Sequence, residues 1–580
     1  MSTGSPPGPF SQNKQNEPAV AIDANNPAHV AAGANDNIDM EACNAGTDNT
    51  CPFTEGVGVS GVYLSDDSGG SWTQPTYTGN TARGCLGAPG DADPPCSPSS
   101  GPIGTLPNYD TSGLVSDGDP ALAFGPRRGA DGTFSWDNGS RLYYANLTSA
   151  LPGSSPFKGF EAIAVSHSDD FDGAMAGSND AWSAPVIASR QNSALFSDKE
   201  QIWADNAASS PYFGNAYVCF AAFQGQQSRS QPLIVLTSRD GGETWASRQV
   251  TPATNNTRSR NGFGRSGCTV RTDSHGRVYV FDYQFAFNPD GPAAGRIQMI
   301  TSDTGGATWS RPRDLFTAFD TCGYFEPSIG RCVEDGVGGA RSDLSPAPSV
   351  DIANGAPSGA GANDRIVMSW VDGRDFGAER VMFSTSADRG ATWSDATAIQ
   401  QGGDRGYYSA PAISPDGGDV YVVYNAFTTP FAQTTAEPRL LVGVVLHADA
   451  TSAGVGAFAE IHRGEPGDAR ASSQNNLAAE FLGDYVYAAA TNDYGTAVWN
   501  DVRNGEHCDA IDAFRQDLHD EAVLSGTQTA EAEEPRGEED RNAGRDQGED
   551  PAVPPAVQAE CPATFGNSDI YGGSFADPTP

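Results

Sequence analysis

Two runs of the chain end in the same figure, Trp370-Val-Asp372-Gly-Arg374 and Trp499-Asn-Asp501-Val-Arg503. A guanidinium presents a planar fork of donors that matches a carboxylate. Other β-rich runs open or close on ionisable and phenolic residues: Glu17, Asp117, Asp119, Lys199, Glu200, Asp282, Tyr283, Arg341, Asp343, Glu480 and Asp484, with Arg265, Arg405, Tyr407 and Tyr408. Gathered on one ring, these residues support two chemistries. Arg265, Arg374, Arg405 and Arg503 can clamp an anionic sugar. A pair of carboxyl groups can serve as acid and base on a glycosidic bond. The plainer alternative is that Asp372 and Asp501 neutralise arginines and tie neighbouring elements together. No Ser or Cys nucleophile motif stands out, nor a phosphate-cradling glycine loop. The seven histidines are scattered without metal-ligand spacing, and His275 and His447 read as solvent-facing or structural. No cofactor or metal is expected, with structural Ca²⁺ in an Asp-rich loop left open.

Something must bring these residues to one place, and the chain repeats itself. Four phrases share one pattern, at residues 65–72 (Ser-Asp-Asp-Ser-Gly-Gly-Ser-Trp), 238–245, 302–309 and 386–393, and a stretched fifth copy runs from Ser168 to Trp182. A glycine pair supplies the positive φ of a tight hairpin, and Ser and Asp can bond the turn's own amides. The tryptophan is expected to fold back and bury its ring. A second phrase, a polar or small residue followed by a β run, begins at Glu17, Asp119, Lys199, Gly267, Ala347, Ala410 and Ala479. Repetition of short strands at this spacing predicts one all-β propeller of four-stranded antiparallel blades over residues 15–580. Seven openings favour seven blades. Residues 1–14 are expected to be disordered, as is the acidic, Pro/Gly-rich stretch 530–555. Residues 510–518 fit a helix or the third strand of blade seven, and their place in the repeat favours the strand.

The repeated phrase is the Asp-box, and the chain resembles the sialidase (neuraminidase) superfamily and its Asp-box relatives over most of its length. The resemblance implies a propeller, six-bladed in the catalytic sialidases. It also implies three arginines on a sugar carboxylate, a tyrosine nucleophile activated by a glutamate, and an aspartate acid/base. On this chain Arg265, Arg374, Arg405 and Arg503 would form the clamp. Tyr407, Tyr408 or Tyr283 would be the nucleophile, Glu200 or Glu480 its base, and Asp117 or Asp119 the acid. The family's Phe/Tyr-Arg-Ile-Pro phrase before the first box is missing; the first arginine, Arg83, follows that box. The implied function is exo-glycosidase action on acidic extracellular glycans. A non-catalytic glycan- or protein-binding propeller and a polysaccharide lyase are the alternatives.

Bulk composition narrows the partners. The formal charge is −39, from 34 basic and 73 acidic residues, which argues against a nucleic-acid or anionic-membrane surface. Arginine far outnumbers lysine, a bias that suggests a GC-rich bacterium or a halotolerant microbe. The ten cysteines pair economically as Cys43–Cys51, Cys85–Cys96, Cys219–Cys268, Cys322–Cys332 and Cys508–Cys561. Five disulfides imply an oxidising compartment and a secreted protein. No apolar run is long enough to span a bilayer. The first residues do not form a signal peptide, so an exported protein would have lost its leader.

Overall fold

The computed structural model describes residues 10–43, 51, 53–85, 96–225, 230–253, 263–286, 294–342, 344–525 and 554–579. Each opening phrase forms or leads into the innermost strand of one antiparallel sheet. These inner strands are Gln15–Ile22, Ala121–Arg128, Leu195–Ala204, Phe263–Thr272, Ser349–Ile352, Arg405–Ile413 and Tyr487–Ala490. Successive inner strands touch, and the seventh touches the first, so seven blades close a ring. The fold is the expected seven-bladed propeller. Blades three and four show the plain four-stranded meander. The outermost strand is shortened at both chain ends: in blade one it is a bridge between Leu64 and Thr73, and blade seven has three described strands.

Val-, Ile- and Tyr-rich strands suit a sheet buried on both faces. An apolar cluster fills each gap between blades, such as Tyr143, Ile202, Val218 and Phe220 between blades two and three. In the Asp-box at 238–245, the Gly242 amide donates to Ser238 Oγ (2.8 Å), and Asp240 accepts from the Thr244 amide (3.0 Å) and hydroxyl (2.6 Å). In the copy at 302–309 Thr304 takes the aspartate's place, accepting from the Thr308 amide at 2.8 Å. The box tryptophans are less buried than expected. Trp72, Trp245, Trp309 and Trp393 are half-buried, each packing one side against an apolar cluster between blades while the rest of the ring stays open to solvent. Only Trp182 of the stretched copy is 4% exposed, and its Nε1 donates to the Tyr77 hydroxyl at 2.9 Å.

All five disulfides pair as the spacing predicts. Two of them stabilise a small cap over the face where the inner strands begin. The cap gathers Phe10, Cys43, Cys51, Cys508, Ile511, Phe514 and Leu518. Residues 509–524 form a helix rather than the expected strand, because Ile511, Phe514, Arg515 and Leu518 are buried at helical spacing. The third strand of blade seven is Asp569–Ala576 instead. Of the N-terminal segment expected to be disordered, residues 10–14 are packed, with Phe10 in the cap and Lys14 buried. Residues 1–9, Asp343 and the acidic stretch up to residue 553 lie outside the described residues.

Candidate functional site

The inner strands of blades one, three, four and six carry a β-bulge near their opening end. An extra residue there bends the strand and re-aims a side chain. In blades one to three the backbone turns left-handed at Glu17 (φ 56°), Asp119 (φ 50°) and Lys199 (φ 60°). Blade four uses Gly267 (φ 74°) at the matching place. A side chain in this conformation costs about 1–2 kcal/mol where glycine costs nothing. Three successive blades thus keep an ionisable residue where glycine would be easier, and all three point toward the channel axis.

There they meet. Lys199 Nζ lies 3.1 Å from Asp119 Oδ2, 2.6 Å from Asp484 Oδ2 and 3.6 Å from Asp198 Oδ1. Arg341 grips Asp484 with both arms of its fork, at 2.9 and 2.7 Å, and reaches Glu17 Oε1 at 3.4 Å. Asn35 donates to Glu17 Oε2 at 2.7 Å, while its own oxygen accepts from the Asp119 amide at 2.7 Å. Gly483 makes room for this packing: a Cβ there would stand 2.4 Å from Glu17 Cγ.

Asn35 thus ties the Glu17 carboxyl to the Asp119 backbone, and the two carboxyls perturb each other's protonation. Burial, then the charge of Asp119, pushes the Glu17 carboxyl well above its usual range. Asp119 is held below its own range; burial opposes this, but Lys199 and the Glu17 proton outweigh it. Burial lifts Asp198 to about 6 and raises Glu200 and Glu161 well above the carboxylate range. Asp484 is held low, since Arg341 and Lys199 overcome its burial. Seven carboxyl groups (Glu17, Asp117, Asp119, Glu161, Asp198, Glu200, Asp484) thus influence one another around two cations, Lys199 and Arg341. Both oxygens of Glu200 are buried without a hydrogen-bond partner. They line a cavity of about 60 Å³ shared with Tyr408, Asp484 and Tyr485.

Tyr408 touches this cluster, its hydroxyl 3.5 Å from Asp484 Oδ1, whereas the expected arginine clamp lies apart from it. The Tyr407 and Tyr408 rings lie 4.1 Å apart at a 54° tilt, and both hydroxyls donate to the Arg341 carbonyl, at 2.6 and 3.0 Å. Burial pushes the Tyr407 phenol well up, which opposes a nucleophilic role. Each arginine of the expected clamp is engaged by a carboxylate. Arg374 binds both oxygens of Asp372 (2.7 and 2.8 Å), and Arg503 binds both of Asp501 (2.9 and 2.6 Å). These pairs close within one strand end rather than across blades. Arg265 is buried on Asp282 (2.8 Å), and Arg405 bridges Glu379 (2.9 Å) and Asp335 (3.1 Å). Sequence reading missed Asp198 and Glu161. Asp198 was findable, because it directly precedes Lys199; Glu161 sits in an irregular loop with no sequence signal.

A larger cavity, about 210 Å³, opens at the Asp-box end of the channel among Trp203, Asn206, Arg271, Asp351 and Tyr487. Its one ion pair, Arg271–Asp351 at 3.4 Å, offers no paired acid and base. The clustered carboxyls with opposed proton affinities lie at the opening end, in the smaller space.

No family model matches the chain, and no curated protein matches it. Solved structures do. A Hadza microbial sialidase aligns with 14% identity and a TM-score of 0.39, over 72% of this chain. The chain spans 64% of that sialidase's length. A leech intramolecular trans-sialidase aligns with 12% identity and a TM-score of 0.37, over 73% of this chain and 67% of that one. An ulvan lyase aligns with 11% identity and a TM-score of 0.40, over 85% and 92%. These likenesses concern the propeller fold and assign no activity.

Proposed function

We propose that the opening end of the channel hydrolyses glycosidic bonds in extracellular glycans, with Glu17 as general acid and Asp119 as its carboxylate partner. One observation carries this reading. Two neighbouring carboxyl groups, Glu17 and Asp119, both stand on left-handed backbone, and their surroundings push their proton affinities in opposite directions. Such divergence marks acid and base roles, and strain of this kind concentrates at active sites. A leaving-group oxygen would accept the Glu17 proton. Asp119, kept ionised by Lys199, would take a proton from a water whose oxygen bonds to the sugar carbon as the leaving group departs, which requires the two carboxyls to move apart when a sugar enters between them. Lys199, Arg341 and Asn35 act as positioning residues. Five disulfides support an extracellular setting.

Acidic sugars fit this site poorly. Carboxyl groups outnumber cations around the acid–base pair, and Arg265, Arg374, Arg405 and Arg503 already hold carboxylates. Neutral or amino sugars are therefore the proposed substrate class. A lyase working through a tyrosine base has less support, because Tyr407 and Tyr408 are spent on a backbone carbonyl. The test is hydrolysis of a panel of neutral, amino-sugar and sialylated glycans. Turnover of the first two classes is expected, reduced by about 10²-fold or more in Glu17→Gln and in Asp119→Asn. Turnover confined to sialosides, or full activity in both variants, would overturn the proposal.

A further inference from the structure

The opposite end of the ring holds a second cluster of ligating side chains, unconnected with the acid–base site. Blades six and seven lack a well-formed Asp-box. At their seam, four residues from three strand ends meet instead. Asp419 opens the second strand of blade six, His447 and Asp449 lie toward the end of its third, and Asp577 follows the last strand of blade seven. One donor atom of each lies within 4.8 Å of all the others. His447 Nε2 is 3.0 Å from Asp419 Oδ1 and 3.8 Å from Asp577 Oδ1.

We propose that His447, Asp419, Asp449 and Asp577 bind one divalent transition-metal ion of the Zn²⁺ or Mn²⁺ kind, which clasps the last strand of blade seven to blade six.

Four lines of reasoning converge. The first is charge: among the described residues no Lys or Arg pairs with any of the three carboxylates, and His447 is the one basic group beside them. The second is spacing. Metal–ligand bonds of about 2.0–2.2 Å set neighbouring donors about 3.0–3.5 Å apart, close to the separations found. The third is Tyr421. It is 1% exposed, its hydroxyl has no hydrogen-bond partner, and its ring centroid stands 4.9 Å from that of His447. A metal-bound water would supply the missing partner. The fourth is the donor set. Imidazole selects transition metals over Mg²⁺ and Ca²⁺, while three carboxylates keep the site hard enough for Mn²⁺ as well as Zn²⁺. The Thr579 hydroxyl donates to both Asp449 and Asp577, the outer hydrogen bonding that orients ligating carboxylates.

The test uses the full chain, stripped with a chelator and titrated calorimetrically with ZnCl₂, MnCl₂, CaCl₂ and MgCl₂, with the thermal midpoint followed in parallel. One Zn²⁺ or Mn²⁺ per chain and a rising midpoint are expected. Asp449 is exposed and Asp577 half-buried, so Asp449→Asn and Asp577→Asn should fold with an unchanged metal-free midpoint. Each should bind at least about tenfold more weakly, since loss of an outer-shell partner alone costs that much. Glu17→Gln should bind metal like the parent, which separates this site from the proposed catalytic one. Absence of Zn²⁺ and Mn²⁺ binding at millimolar concentration, unchanged affinity in Asp449→Asn, or preference for Ca²⁺ or Mg²⁺ would overturn the assignment.

Discussion

Aspartates crowd both ends of the propeller, and the two ends treat them in opposite ways. In the Asp-box turns, Asp67, Asp240 and Asp388 accept hydrogen bonds from the amide and hydroxyl four residues on. Those bonds hold Asp67 and Asp388 below the usual carboxylate range, and Asp240 too despite its partial burial. At the opening end Glu17, Glu161, Asp198 and Glu200 are pushed up, first by burial and then by neighbouring carboxylates, Asp119 in every case. A carboxylate inside an amide-rich turn stays ionised and serves the scaffold. The same group in a dry ring of like charges keeps its proton and can give it away. Residue type therefore says little about role here; solvent and neighbours decide it.

This contrast can be broken or sharpened by measurement. The largest effect is expected in turnover. Glu17→Gln and Asp119→Asn should lose about 10²–10⁴-fold in kcat/KM, the usual weight of a general acid or base, whereas Asp67→Asn and Asp240→Asn should keep it. Equal losses at both ends would erase the distinction. Stability should show the next effect, this time at the Asp-box end. Trp182→Ala should cost about 3–5 kcal/mol in chemical denaturation, as deletion of a buried aromatic does. Half-buried Trp245 should cost about half as much, and equal losses would mean that exposure does not govern these tryptophans.

An effect of comparable size concerns pH. Asp205 sits at an Asp-box-end turn, yet burial raises it to about 7. Its folded carboxyl holds the proton more tightly than the unfolded one, whose value is near 4. The resulting stabilisation is complete below the unfolded value and is lost as pH rises through about 7. Across that window the slope approaches about 1.4 kcal/mol per pH unit. Asp205→Asn should flatten it, and an unchanged pH–stability curve would show that the proton is not held there. The smallest effect is Arg374→Ala. The Arg374 side chain is 45% exposed but its partner Asp372 is buried, so removal should cost about 1–3 kcal/mol, the penalty of leaving that carboxylate without its fork. A large loss of glycan binding in that variant would restore the arginine clamp.

Much of the scaffold was legible in the residues themselves. Gly-Gly pairs after β runs, seven opening phrases and paired cysteines are local signals, and each is read from neighbours in the chain. The helix at 509–524 escaped because its place in the repeat argued for a strand while its buried face obeyed a helical period. The paired carboxyls were half legible. Glu17, Asp119 and Lys199 head the first three openings, but nothing local reveals that the backbone turns left-handed beneath all three. The arginines misled for the same reason. Arg374 and Arg503 carry a fork, and the sequence does not say whether that fork is free or already filled by the aspartate two residues back.

Sequence alone determined the all-β repeat, the disulfide pairing and the set of residues that open each blade, because hairpins, period-two strands and short loops are local physics. Only the closed ring decided which ionisable groups meet. Glu17, Asp119, Lys199, Arg341 and Asp484 span 468 positions in the chain, yet they converge on one axis. Their proton affinities come from shared burial and mutual charge, which exist only once the seventh blade stands against the first.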